Sequence, residues 1–151
     1  MFFLKSDELQ NHIHSIIHKD TQQHETHFDL TVNKIHKFTK AGSLDFGGSE
    51  FKAAEKELVD PHKNQGDDYG WWNLSQGYYQ ATMNETVKEA ADTMAFIGLH
   101  QHARKAGIIG NASMLSDQKT GDPITLNFFA PDPGCNIKEN ARLAVLYLLA
   151  G

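Results

Sequence analysis

Residues Tyr69–Val87 read YGWWNLSQGYYQATMNETV. This is the densest run of aromatic and β-branched residues in a chain otherwise rich in polar and charged ones, and such residues suit the pleated, half-buried surface of a strand. Gly70 ends a polar turn, Trp71, Trp72 and Leu74 form one strand, and Ser75-Gln76-Gly77 reverses the chain into a second strand that runs to Val87. The simplest reading is a hairpin whose rings pack into the core, because buried aromatics dominate core energetics. Asn84 and Glu85 fall at its end, where a polar pair is expected in solvent.

The flanking segments extend this pattern. Upstream, LKSDELQNHIHSIIHKD carries Leu9, Ile13, Ile16 and Ile17 at helical spacing, which predicts one amphipathic helix capped by Ser6 or Asp7. HFDLTVNKIHKF alternates through Phe28, Leu30 and Val32 and then Ile35, the mark of a half-buried strand. FKAAEKELVDPHKNQGDDYG is expected to be a connecting excursion with at most a short helix. Downstream, MAFIGLHQH, AGIIGNASML, PITLNFFA and ARLAVLYLLA are short apolar runs separated by Gly, Pro and Asn. Short strands at such spacing predict an all-β barrel or sandwich with an N-terminal helix, a single domain spanning residues 1–151.

Composition limits the function. The chain has 151 residues, 22% of them charged, with a formal net charge of −5, which argues against a nucleic-acid partner. Its one cysteine, Cys135, excludes an intramolecular disulfide and a thiolate-rich zinc site and fits a reducing compartment. The opening MFFLKSDELQ turns charged within five residues, and no run approaches membrane-spanning length, so a soluble, cytoplasmic protein without a membrane partner is expected.

At GWWNLSQGYYQATMNETV the chain resembles the dCTP deaminase and dUTPase superfamily, whose deaminase branch has a strand, a turn followed by an aromatic, and a threonine-glutamate strand. The resemblance continues along the chain. FLKSDELQNHI is similar to the family's opening Leu-Ser-Asp and short helix, and FDLTVN to its Asp-Leu-x-Val strand. LHQHARKAGI falls where the family has Gly-Arg-Ser-Ser-x-x-Arg-x-Gly. SDQKTGDPITLNF falls where it has Ile-Asp-Pro-Gly-x-x-Gly-x-Ile-Thr-Leu-Glu, and IKENARLAVLYLL where it has its closing strand.

The resemblance implies a dUTPase-like β-barrel assembled as a homotrimer, with sites at subunit interfaces for a deoxypyrimidine nucleoside triphosphate and Mg2+. In the phosphate motif it pairs His100 with the first arginine, Gln101 and His102 with the two serines, Lys105 with the second arginine and Gly107 with the closing glycine. Arg104 stands one step away and can replace Lys105 if the register shifts. Lys105 supplies a point charge without the bidentate fork of arginine. Asp117 stands close to the aspartate that activates water in dUTP-hydrolysing members, with Ser116 and Asp122 as neighbours that could hold the position instead. Asn127 stands where the deaminase branch has its glutamate base, and an amide cannot accept a proton in that role. The chain also stops after the last family-like strand, where active relatives continue into a tail that covers the nucleotide.

Histidine supports a different reading. The chain has nine, and His100 and His102, two apart on an expected strand, would share one side, a geometry used by metal sites of small barrels. His14 with His18, and His24 with His27, read as surface pairs, and no other metal-ligand set is expected. Asp29 reads as a structural carboxylate, Arg142 as a trimer-contact or surface residue, and Cys135 as an unreactive loop thiol. Three classes remain: a hydrolase of deoxypyrimidine triphosphates, a non-catalytic nucleotide- or protein-binding member of the family, and a metal-dependent barrel.

Overall fold

The computed structural model describes residues 1–88, 92–115 and 119–151. In chain order the elements are β1 (Phe2–Phe3), α1 (Ser6–Gln10), β2 (Ile13–His14), α2 (Lys19–Gln22), β3 (Phe28–Lys40), β4 (Glu55–Leu58), β5 (Trp71–Leu74), β6 (Gly77–Val87), β7 (Thr93–Leu99), α3 (Gln101–Lys105), β8 (Ser113–Met114), β9 (Pro123–Ala130), β10 (Cys135–Lys138) and β11 (Arg142–Ala150). Among the described residues nine strands form one curled sheet, in the order β2-β6-β3-β11-β7-β8 with β1 on β11, β4 on β3 and β9 on β6, and β5 and β10 pair separately. The expected all-β class with short N-terminal helical structure is what forms.

The first helix is much shorter than its periodicity predicts. Ser15 takes a positive φ of 63°. The Gln22 side-chain oxygen accepts from the Ile17 and His18 amides at 3.1 and 2.8 Å, so those amides do not serve a helix. Residues 13–14 instead extend the sheet edge, with Ile13 opposite Val87. Leu9 and Ile13 are buried as expected, while Ile17 is exposed. Neither predicted cap operates: the position before α1 is Lys5, which makes no side-chain capping bond.

The aromatic run forms two strands but no hairpin. Trp71–Leu74 pairs with Cys135–Lys138, whereas Gly77–Val87 lies between β3 and β9. The turn at 75–76 therefore passes the chain from one sheet to the other. Trp72 is buried and donates its indole N–H to the Val59 carbonyl at 2.8 Å, and the Tyr79 hydroxyl donates back to the Ser75 carbonyl at 2.7 Å. Tyr79 stacks on Phe128 across the β6–β9 pair. Cys135, expected in a loop, begins β10, and burial pushes its thiol pKa up, in keeping with an unreactive thiol. Just before it Gly134 is positioned at φ 98°, where a Cβ would overlap the Leu74 carbonyl, so this approach of the two strands requires glycine. Within the expected excursion, Glu55–Leu58 extends along His36–Lys40 as a strand; the edge of β3 overrides the local helical tendency.

β3 is the strand on which the layers converge, flanked by β11 and β6. Phe28, Leu30, Val32 and Ile35 are fully buried, and the change of phase after Val32 is a bulge between Val32 and Lys34. The alternate residues Asp29 and Thr31 are buried as well, so this part of the strand is covered on both faces. A polar network covers Thr31. Glu85, fully buried, accepts from the Thr31 amide at 2.8 Å, the Thr31 hydroxyl at 2.6 Å and Gln22 Nε2 at 2.8 Å. Asn84 Nδ2 donates to Thr31 Oγ1 and to Asn140 Oδ1. The expectation that Asn84 and Glu85 are solvated is thus wrong for Glu85. Its phase shows why: it alternates with Tyr79, Ala81, Met83 and Val87, all buried on the inward face of β6.

Replacing Glu85 by alanine would strand a buried amide, a hydroxyl and a carboxamide at once. We expect Glu85→Ala to lower unfolding stability by about 3 kcal/mol or more, read as a shift of the urea midpoint.

Candidate functional site

α3 follows β7 directly, and its short turn sets the geometry of the segment that resembles a phosphate motif. His100 and His102 do not share a strand face. His100 sits at the position before α3, His102 lies within it, and their rings meet edge-to-face at 4.7 Å. His100 Nδ1 accepts the His102 amide at 3.0 Å, which leaves its proton on Nε2, 3.4 Å from Asp29 Oδ2. Burial lowers the His100 pKa, outweighing the pull of Asp29, with His102 and Arg142 acting in the same direction as burial. Gly107 closes the segment at φ 98°, a conformation that favours glycine.

Asp29 is the centre of this region. It is fully buried, and its Oδ2 receives Arg142 Nη1 at 3.1 Å and lies 3.0 Å from His24 Nε2. His27 Nε2 lies 4.0 Å from Oδ1, an oxygen that is buried and has no hydrogen-bond partner. The turn that presents both imidazoles is closed by the His24 amide donating to the His27 carbonyl at 3.0 Å, beside a bridge between Gln23 and Phe28. It stacks the two rings at 4.5 Å. Burial, and His24 next to it, lower the His27 pKa against the opposing effect of Asp29.

Arg142 reaches the same point through a bulge. The register of β11 against β3 shifts between Arg142 and Ala144, so Leu143 and Ala144 are both buried and Arg142 turns to the side of Val145 and Tyr147. His24, His27, His100, Gln101, His102, Arg104, Arg142 and Tyr147 contribute to the wall of a cavity of about 520 Å3. Arg104 is held in that wall by donating Nη1 to the Leu99 carbonyl at 3.1 Å.

Of the expected phosphate ligands, His100, Gln101, His102 and Arg104 therefore meet around one cavity. Lys105 is exposed and is not part of its wall. Asp117 and Ser116 lie outside the described residues. Asp122, the alternative carboxylate, accepts the Lys119 amide at 3.1 Å within a turn. Asn127 lies on the exposed face of β9, beside a second cavity of about 490 Å3 that includes Tyr78, Gln80, Ile109, Asn111 and Phe129. Its Oδ1 accepts from Gln80 Nε2 at 3.0 Å, and Tyr78 packs against Phe129 at 4.7 Å. The two cavities share no residue but are joined by the chain from α3 to Asn111.

Sequence reading put His24 and His27 on the surface, Arg142 at a trimer contact or on the surface and Asp29 as a structural carboxylate, and did not bring these four together. The spacing His-x-x-His-x-Asp was a usable signal for three of them, since a tight turn into a strand places such residues together. The bulge that turns Arg142 inward leaves no comparable trace.

The resemblances follow this geometry. The chain is similar over 99% of its length to the crystal structure of the 2'-deoxycytidine 5'-triphosphate deaminase from Agrobacterium tumefaciens, with a TM-score of 0.66 and 12% identity, and it spans 48% of that chain. It is 24% identical to a Methanosarcina mazei protein whose description reads "Probable deoxyuridine 5'-triphosphate nucleotidohydrolase", over 97% of this chain and 86% of that protein. The chain is thus similar in fold to a dCTP deaminase and, distantly, in sequence to a protein described as a dUTP nucleotidohydrolase. No family model matches it. Both of these proteins are named for deoxynucleoside triphosphates. No helix among the described residues is long and apolar enough to cross a membrane.

The Asp29–Arg142 pair joins a fully buried carboxylate to a half-buried guanidinium. A double-mutant cycle of Asp29→Asn and Arg142→Ala, measured by urea unfolding, is expected to return a coupling of about 1–3 kcal/mol. Additive single effects would mean that the two groups do not interact in solution.

Proposed function

We propose that this protein binds a deoxypyrimidine nucleoside triphosphate with its phosphates in the His100–Arg104 cavity, and hydrolyses it as a dUTP diphosphatase. The observation that carries the reading is that four residues of the segment resembling the family's phosphate motif meet Arg142 around one cavity. Guanidinium and imidazole N–H groups are suited to phosphate oxygens. Arg104 and Arg142 take the electrostatic role expected of Lys105.

In the reaction, water attacks the α-phosphorus and forms the new P–O bond, while the bond to the bridging oxygen breaks and pyrophosphate departs. The water proton passes to Asp117, a role that rests on its place in the sequence. Asn127 cannot act as the base for cytosine deamination. Beside this cavity the described residues place one carboxylate, Asp29, whose Oδ2 already receives Arg142 and His24, too few oxygens for a magnesium cage. Magnesium would be carried by the triphosphate itself, where it offsets phosphate charge.

The single chain keeps the Asn127 cavity apart from the His100 cavity, and the site is completed by association of copies as a homotrimer. Exposed apolar side chains at Leu44, Phe46 and Phe51 support self-association. A non-catalytic, nucleotide-binding role is the second reading, favoured by Asn127 in place of a base.

The test is pyrophosphate release from dUTP, dCTP and dTTP with magnesium, alongside ammonia release from dCTP. We expect dUTP to be cleaved and no ammonia to appear. Asp117→Asn should slow cleavage by about 10²-fold or more while leaving nucleotide affinity nearly unchanged. Arg104→Ala should weaken binding more than Lys105→Ala does. Nucleotide binding without turnover in the parent would select the non-catalytic reading, and a light-scattering mass of one subunit would remove the trimer.

A further inference from the structure

We propose that His24, His27 and Asp29 form a binding site for a divalent transition cation of the zinc class, held by the two imidazole Nε2 atoms and Asp29 Oδ1. The site is separate from any magnesium brought by a nucleotide, and the inference does not depend on dUTP hydrolysis. Three ligand atoms, one from each residue, lie within 4.8 Å of one another. Zinc bonds of about 2.0–2.2 Å place tetrahedral ligands about 3.3 Å apart. His27 Nε2 lies 4.0 Å from Oδ1, a little beyond that spacing, and His24 Nε2, 3.0 Å from Oδ2 of the same carboxylate, must turn toward Oδ1 to join it. Both rings are partly exposed, at 39% and 31%, and can turn to close the remaining distance.

The second observation is the state of the carboxylate. Asp29 is completely buried, yet its Oδ1 has no hydrogen-bond donor, while its Oδ2 is served by Arg142 and His24. Such an oxygen is costly to bury without a partner. A cation between Oδ1 and the two rings supplies one.

Donor chemistry fixes the class. Two imidazoles and one carboxylate oxygen suit zinc-like ions, whereas magnesium and calcium require oxygen ligands. His100 is excluded as a ligand, since its Nδ1 accepts an amide and its Nε2 carries the proton facing Asp29. Three protein ligands leave a coordination position open to the cavity, as in zinc sites that bind water or substrate. Arg142 places a like charge on the other carboxylate oxygen, so binding is weaker than in a structural zinc site.

The test uses the full chain, freed of metal with a chelator and titrated with Co2+ alone, followed by displacement with Zn2+. We expect one Co2+ per chain with a visible ligand-field band, lost on adding one equivalent of Zn2+. The His24→Ala/His27→Ala double variant, confirmed as folded by circular dichroism, should bind Co2+ at least about 100-fold more weakly. His62→Ala, which removes an exposed imidazole elsewhere, should bind as the parent does. Failure of the parent to bind either ion overturns the proposal. So does unchanged binding by the folded double variant, which would assign the metal to exposed histidines such as His14 and His18. No nucleotide is present, so either outcome is separate from the fate of the dUTP reading.

Discussion

Asp29 carries an ionisable carboxylate with no exposure to solvent, near the start of the longest strand of the sheet. A buried carboxylate must be paired and hydrogen-bonded or it destabilises the fold strongly. Its partners come from three separate places in the chain: the turn before β3, the junction of β7 and α3, and the start of β11. Holding one charge therefore fixes the relative position of all three. The same requirement explains why a cavity rich in imidazole and guanidinium groups forms at this place, since the groups that answer Asp29 also line the opening beside it.

Thr31, two residues further along β3, repeats the logic with neutral groups. Its amide and hydroxyl are both taken by Glu85, and Gln22 closes the arrangement by donating to Glu85 and to the Asp29 carbonyl. Gln22 also accepts from residues 17 and 18. One side chain thus links the irregular N-terminal segment to the centre of the sheet. This is the physical reason that the helical spacing of Leu9, Ile13, Ile16 and Ile17 does not produce a single helix: the tertiary hydrogen bonds of Gln22 compete with the helix and prevail.

Much of the sheet was legible in the sequence because apolar residue types alternate along its strands, interrupted in β3 by the bulge after Val32. Phe28 to Ile35, Tyr79 to Val87 and Ile124 to Ala130 each show their inward face in the residue types. Partner choice was not legible, because adjacency in sequence suggested that Trp71–Leu74 pairs with Gly77–Val87, and only the sheet-to-sheet crossing at Ser75 shows otherwise. The segment that resembles the family's phosphate motif was picked out by order along the chain, and four of its residues line one cavity. The groups that complete the cavity come from distant parts of the chain, His24 and His27 from the turn before β3 and Arg142 from the start of β11, and no local pattern connects them to the segment.

The charge balance of the cavity constrains what it can hold. Leaving the histidines aside, Arg104 and Arg142 against Asp29 give a small net positive charge. Burial favours the neutral form of His27 and His100, so these rings contribute hydrogen bonds rather than charge at neutral pH. A triphosphate carries far more negative charge than this surplus can offset. Tight binding of the triphosphate proposed above would therefore require a cation in the complex, whether carried on the phosphates or held by the imidazoles beside Asp29.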